Sequence, residues 1–192
     1  DGNAGIIVES ATCTISNCNI QNTHGTGMLV SSAKAITNNT FNSNENLDVY
    51  LNPDNLFKLT ENGKLNIGIS GVVNNTSDTF SLSKANFYRT LGTVTVNTLK
   101  TLTIEPGVTV DFPQSSDHVS QLVVNGTLKA SGTSSSNIIF QGGDIGYVYL
   151  KDPWRGPVTI SSSSQNSVLE YIVIDGLGYY NHSDNTAILI VD

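Results

Sequence analysis

The residues able to do chemistry are few and far apart. Cys13 and Cys18 are the only cysteines. On a strand reading Cys13 and Ile15 point inward, with Cys18 and Ile20 following them. Free thiols in a core suit that placement, because cysteine is among the most buried residue types. A turn between the two would alternatively let them form a disulfide. A metal site needs more ligands, and no neighbouring His-Cys spacing completes one. His24, His118 and His182 are widely separated in Asn-, Ser-, Thr-, Gly- and Asp-rich surroundings, which reads as exposed loops. No Gly-x-Ser-x-Gly elbow, His-Glu-x-x-His pair or phosphate-binding Gly-Lys-Ser/Thr loop occurs. Asp144 with Asp152, or Asp175 with Asp184, would suit a hard cation such as calcium, although neither pair matches an EF-hand or a nonapeptide calcium repeat. Solvated loop acids are the plainer reading. Asp175 and Asp184 would also serve as paired carboxylates if they stood ~5 to 9 Å apart.

Five aromatic residues, Tyr147, Tyr149, Trp154, Tyr179 and Tyr180, gather in the last quarter, in or beside Gly-rich turns. A flat aromatic platform stacks on sugar faces, so these form a candidate carbohydrate-binding surface. The alternative is that Trp154 caps a core where a loop rejoins it. Thr93, Thr95, Thr101 and Thr103 alternate along strands, which is ordinary on a β surface.

Composition says what must position these groups. The chain has 192 residues, 9 basic against 16 acidic, a net charge of -7 and only 13% charged residues. Clustered cations are wanting, with Arg89 and Arg155 the only arginines, which argues against nucleic acid as a partner. No apolar run approaches the ~20 residues of a membrane span. Asn, Ser and Thr make up a third of the chain and alternate with Ile, Val and Leu. Short β-branched runs punctuated by Asn, Gly or Ser, without helical periodicity, predict an all-β protein. The opening Asp1-Gly2-Asn3-Ala4-Gly5-Ile6 has no secretory signal and reads as the middle of a longer protein.

The runs repeat. Gly5-Ile6-Ile7-Val8 matches Gly27-Met28-Leu29-Val30, and Ile15-Ser16-Asn17-Cys18-Asn19-Ile20 matches Ile36-Thr37-Asn38-Asn39-Thr40-Phe41, at offsets of 22 and 21. A unit so short cannot close a core alone, so successive copies must stack. Stacking like on like puts Ile15 over Ile36 and Ile20 over Phe41 in the interior. It puts Asn17 over Asn38 as an amide ladder at a corner, satisfying turn backbone groups.

This pattern resembles right-handed parallel β-helix proteins, in particular the short repeats of pectate-lyase-like and copper-maturation-type periplasmic proteins. A second stretch runs from Leu102-Thr103-Ile104-Glu105-Pro106-Gly107-Val108 through Leu122-Val123-Val124-Asn125-Gly126-Thr127-Leu128 to Ile138-Ile139-Phe140. Trp154-Arg155-Gly156-Pro157-Val158 and Val168-Leu169-Glu170-Tyr171-Ile172 follow it. That order is similar to β-helix modules of large bacterial surface and secreted proteins, where Pro-Gly and Asn-Gly turns mark successive coils. The resemblance implies a solenoid fold and raises polysaccharide cleavage. Related lyases use a cationic base, for which Arg155 is the one suggestive arginine, and a negative surface repels a polyanion. Related hydrolases carry an Asn-Thr-Asp segment and an Asp-Asp pair, which are absent here; His24-Gly25 is the only His-Gly and has no such partners.

The expected organisation is β-helical coils over 1–51, an irregular excursion or junction over 52–91, and β-helical coils over 92–192. A loop is expected to leave the stack between Gln141 and Pro153. Asn3-Ala4-Gly5-Ile6-Ile7-Val8-Glu9 resembles Thr186-Ala187-Ile188-Leu189-Ile190-Val191-Asp192, as if the last strand began another copy of the first coil. The expected function is a non-catalytic structural or adhesive module of a secreted or cell-surface protein, partnered by neighbouring β-helix units or copies of itself. A carbohydrate-binding module and a polysaccharide lyase or glycoside hydrolase are the alternatives. No cofactor is expected apart from the calcium option.

Overall fold

The computed structural model describes residues 3–75, 77–81, 83–113, 120–142, 158–176 and 189–191. The described chain is all-β with one short helix, and all the paired strands run parallel. The broadest sheet stacks Ala4–Glu9, Thr26–Ser32, Val49–Leu51, Leu65–Val73, Ala85–Val96, Thr109–Phe112, Ile138–Gly142 and Ile172–Asp175 in chain order. A branch leaves the second half of Ala85–Val96 and takes Gln121–Val124, Val158–Ile160 and Leu189–Val191. Three smaller sheets hold Thr14–Ser16, Ala35–Thr37 and Leu59–Thr60; Asn19–Gln21 and Thr40–Asn42; and Ser77–Phe80, Thr101–Ile104, Thr127–Ser131 and Val168–Glu170.

The register follows the repeat offset. Ile6 pairs with Met28, Ile15 with Ile36 and Ile20 with Phe41. Strand side chains alternate between faces, so in-register stacking puts apolar residues in columns on the inner face. Val8, Val30, Leu51 and Ile69 form one such buried column, and Ile67, Tyr88, Val110 and Phe140 another. Phe80 stacks on Tyr88 at 4.4 Å between centroids, and Phe112 meets Phe140 edge-on at 6.0 Å. The phenol of Tyr88 is fully buried, and it accepts from the Ser81 N–H at 2.7 Å and donates to the Ser81 carbonyl at 3.0 Å.

The break in sequence period after Asn52 has a structural counterpart. Asn52 caps a 3-10 helix, Pro53–Lys58, by accepting from the Asp54 N–H at 3.0 Å, and proline at the start supplies the φ a helix needs. Among the described residues the irregularity lies in this helix, in the turns and in register shifts at Ala85/Phe87 and Thr90/Val94. Leu65–Val73 pairs with Val49–Leu51 on one side and Ala85–Val96 on the other, so parallel pairing runs through the segment expected to be irregular. Both long strands carry a glycine with strongly positive φ, Gly71 at +107° and Gly92 at +108°, flanking the register shift between Thr90 and Val94. Only glycine adopts that backbone without strain, and the two positions are where the broad sheet gives rise to its branch.

Pro106-Gly107 and Asn125-Gly126 are turns, as the sequence predicts. The Val108 N–H reaches the Glu105 carbonyl at 3.2 Å and Gly107 has φ +81°. The two like segments at the chain's ends belong to the same sheet but to different paths of it. Leu189–Val191 pairs with Val158–Ile160 in the branch, whereas Ala4–Glu9 heads the column that ends at Ile172–Asp175. Of the segment expected to be a loop, Gln141 and Gly142 complete the Ile138–Gly142 strand, and the rest lies outside the described residues.

Candidate functional site

The polar side chains concentrate at turns, where a parallel stack leaves backbone groups outside its ladders. Asn17 and Asn38 both adopt positive φ, and the Asn38 amide donates to Asn17 Oδ1 at 2.6 Å. The predicted ladder exists, but it is exposed and joins side chain to side chain. The ladder that satisfies backbone lies one residue further on. Buried Asn39 accepts from the Cys18 N–H at 3.0 Å and donates to the Ile15 carbonyl at 3.0 Å. Asn62 repeats the pattern one layer on, accepting from the Asn39 N–H at 2.9 Å and donating to the Ile36 carbonyl at 2.8 Å. Cys18 heads this column in place of an asparagine. A parallel column links Thr23, Asn44, Asp48 and Asn66: Asn44 donates to Asp48 Oδ1 at 3.0 Å, and Asp48 Oδ2 accepts from the Asn66 N–H at 2.8 Å.

Both cysteines are free thiols. Cys13 is half-buried and packs against the core, whereas Cys18 is exposed, contrary to its expected inward orientation. It lies next to positive-φ Asn17 at the corner, and its thiol donates to the Ser16 carbonyl at 3.3 Å. His24 is exposed, with Nδ1 2.8 Å from Glu45 Oε1, as a loop histidine should be. Asp175 is exposed at the end of its strand. Trp154, Tyr147, Tyr149, Tyr179 and Tyr180 lie outside the described residues, as do Asp144, Asp152, Asp184, His118, His182 and Arg155.

Two clusters were not singled out by sequence reasoning. On the outer face of the broad sheet, Arg89 pairs in register with Asp111 and its Nε donates to Oδ2 at 2.7 Å. The guanidinium also lies 5.0 Å from the Phe87 ring centroid. Its side chain is 36% exposed while that of Asp111 is only 9% exposed, so a buried carboxylate holds a surface guanidinium in place. A fixed planar cation of this kind suits carboxylate or other anionic groups. The offset of 22 residues between Arg89 and Asp111, close to the repeat length, was the available signal.

The second cluster joins the Pro53–Lys58 helix to the Ser77–Phe80 strand. Asp54 Oδ1 accepts from the Asn74 and Asn75 N–H groups at 2.7 and 3.1 Å. The Asn75 amide donates to the Asp54 carbonyl at 3.2 Å and to Asp78 Oδ1 at 3.1 Å. Burial pushes the Asp78 carboxyl up to about 6, opposed by the Asn75 hydrogen bond and assisted by the neighbouring Asp54 carboxyl. Lys84 donates to the Leu56 carbonyl at 2.9 Å, and burial lowers its pKa. Beside it, a cleft of about 340 Å³ opens between Leu59, Thr60, Glu61, Asn62, Ser83 and Lys84. It marks the last strand of the Thr14–Ser16 sheet. Among the described residues no group of three His, Cys, Asp or Glu side chains is arranged to hold a metal, and no helix is long and apolar enough to cross a membrane.

Compared with known proteins, the chain matches no family model, no curated sequence and no solved structure.

Proposed function

We propose that this chain is a non-catalytic structural or adhesive module of a secreted or cell-surface protein, built as a right-handed parallel β-helix that stacks on neighbouring units or on copies of itself. The observation that carries the reading is the in-register parallel stacking of the broad sheet through eight strands, with buried apolar columns inside and amide columns at the turns. At ~4.8 Å per layer these span roughly 34 Å, and each added layer extends the stack by the same pairing. A polar but weakly charged exterior suits an extracellular setting. Among the described strands, Ala4–Glu9 and Ile172–Asp175 end the eight-strand path, and an edge of this kind can take a further parallel strand.

Two measurements test this. Incubation with neutral and uronic polysaccharides should release neither reducing ends nor unsaturated products, and turnover of any of them would sink the non-catalytic reading. Sedimentation across a concentration series should show association, and a strict monomer throughout would remove self-stacking. Carbohydrate binding is the second reading, favoured by Arg89 fixed over Phe87 on the outer sheet face. It requires an acidic glycan to bind in calorimetry and Arg89→Met to weaken that binding.

A further inference from the structure

We propose that Asp54 and Asp78, bridged by Asn75, form a binding site for a hard divalent cation of the calcium type where the Pro53–Lys58 helix meets the Ser77–Phe80 strand. Asp78 is only 4% exposed. Its Oδ1 accepts from the Asn75 amide, but its Oδ2 is buried with no hydrogen-bond donor among the described residues. A buried carboxylate oxygen in that state carries a desolvation cost, which either a proton shared with Asp54 or a bound cation relieves.

The surroundings indicate the sign of the missing partner. The Asp54 carboxyl comes within hydrogen-bonding reach of Asp78, so two acids meet at one point. Asp54 is itself fixed, because both of its backbone donors, Asn74 and Asn75, converge on Oδ1. Lys84 is the nearby cation, and its ammonium donates to the Leu56 carbonyl. Glu105 also acts on Lys84 and draws on the same positive charge. That ammonium is therefore shared, and Asp78 does not hold it alone.

The ligand atoms on offer are carboxylate oxygens, with amide and backbone carbonyls close by and neither thiolate nor imidazole in the cluster. That set selects a hard cation over a soft one. Two carboxylates on a helix and a strand, without a dedicated loop, give modest affinity, of the order of 10⁻⁴ to 10⁻³ M. A bound ion would clasp the helix to the strand at the point where the regular pairing is interrupted.

The test uses chelator-treated full chain titrated with calcium chloride, read by calorimetry and by melting temperature. Saturable binding and a raised melting temperature are expected. Asp78→Asn and Asp54→Asn should each weaken binding by about tenfold or more. In chelator Asp78→Asn should melt no lower than the parent, because it removes a buried charge. If Asp78→Asn does not fold, Asp54→Asn decides the question. Absence of any calcium response at millimolar concentration overturns the proposal and leaves a proton shared between the two acids. Calcium binding that survives both substitutions also overturns it, since the ion would then sit on other acids of the chain.

Discussion

Asn38 and Asn39 are adjacent, both stack over a residue one layer away, and should differ sharply when removed. Asn39 is 3% exposed. Asn39→Ala deletes the acceptor of the Cys18 N–H and the donor to the Ile15 carbonyl, both at 3.0 Å, and the 3.2 Å bond to Asn62 Oδ1. A buried backbone group left without a partner costs about 1–3 kcal/mol. Two such groups, with partial relief from water at the corner, put the loss at about 2–5 kcal/mol. Asn38 makes one exposed bond, to Asn17. Its φ of +52° is the complication, because alanine there would add left-handed strain unrelated to the ladder. Glycine avoids that, so Asn38→Gly should stay within about 1 kcal/mol of the parent. Urea unfolding at neutral pH, with unchanged m-values, gives both numbers directly. Equal losses for the two variants, or a loss below about 0.5 kcal/mol for Asn39→Ala, would refute the claim that buried turn amides hold the layers together.

Other consequences are equally measurable. Tyr88→Phe leaves the Ser81 N–H unpaired in the core, while the Ser81 carbonyl keeps the Lys84 N–H at 3.1 Å, and should cost about 1–3 kcal/mol in urea unfolding. Asp78 has a folded pKa of about 6 against 3.8 when unperturbed. Its contribution is therefore fully present below about pH 4 and lost as pH rises through about 6. At about 1.4 kcal/mol per unit that is about 3 kcal/mol, and in chelator Asp78→Asn should remove this part of the pH dependence of the urea midpoint. Thiol titration without reductant should find two thiols in the unfolded chain and fast reaction of exposed Cys18 in the folded one; no reactive thiol in the unfolded chain would establish a disulfide instead. Arg89→Met strands the Asp111 carboxylate and should cost about 1–3 kcal/mol by thermal unfolding, recovered in part by adding Asp111→Asn.

Much of the stacking was legible because apolar identity repeats. Ile15 over Ile36 and Ile20 over Phe41 are matches a reader can align, and the Pro106-Gly107 and Asn125-Gly126 turns announce themselves. The functional amide column was not, because like-on-like matching seizes on Asn17 and Asn38. That choice aligns Cys18 with Asn39, a pair without chemical likeness, although Asn39 does the satisfying. The segment after Asn52 hid its strands for a related reason. There Tyr88 stacks on Ile67 and Arg89 on Gly68, so register persists where identity does not. Asp54 and Asp78 lie 24 residues apart in polar surroundings, with no motif that joins them. Only the parallel pairing, and a helix standing between Val49–Leu51 and the short Leu59–Thr60 strand, brings them together.

That helix explains why polar groups gather where they do. A parallel stack satisfies its backbone through ladders, and an inserted 3-10 helix interrupts them, leaving carbonyls and N–H groups that only side chains can reach. Asn55, 6% exposed, donates to the Ser31 carbonyl, and Lys58 donates to Asn55 Oδ1. Lys84 reaches the Leu56 carbonyl, and Asp54 takes the Asn74 and Asn75 N–H groups. Charge is therefore buried at the discontinuity because the backbone there demands partners. The Asn39 and Asn62 amides meet the same need at the turns of the Thr14–Ser16 sheet, whereas at the junction the carboxylates that serve the backbone crowd together and leave Asp78 Oδ2 buried with no donor among the described residues.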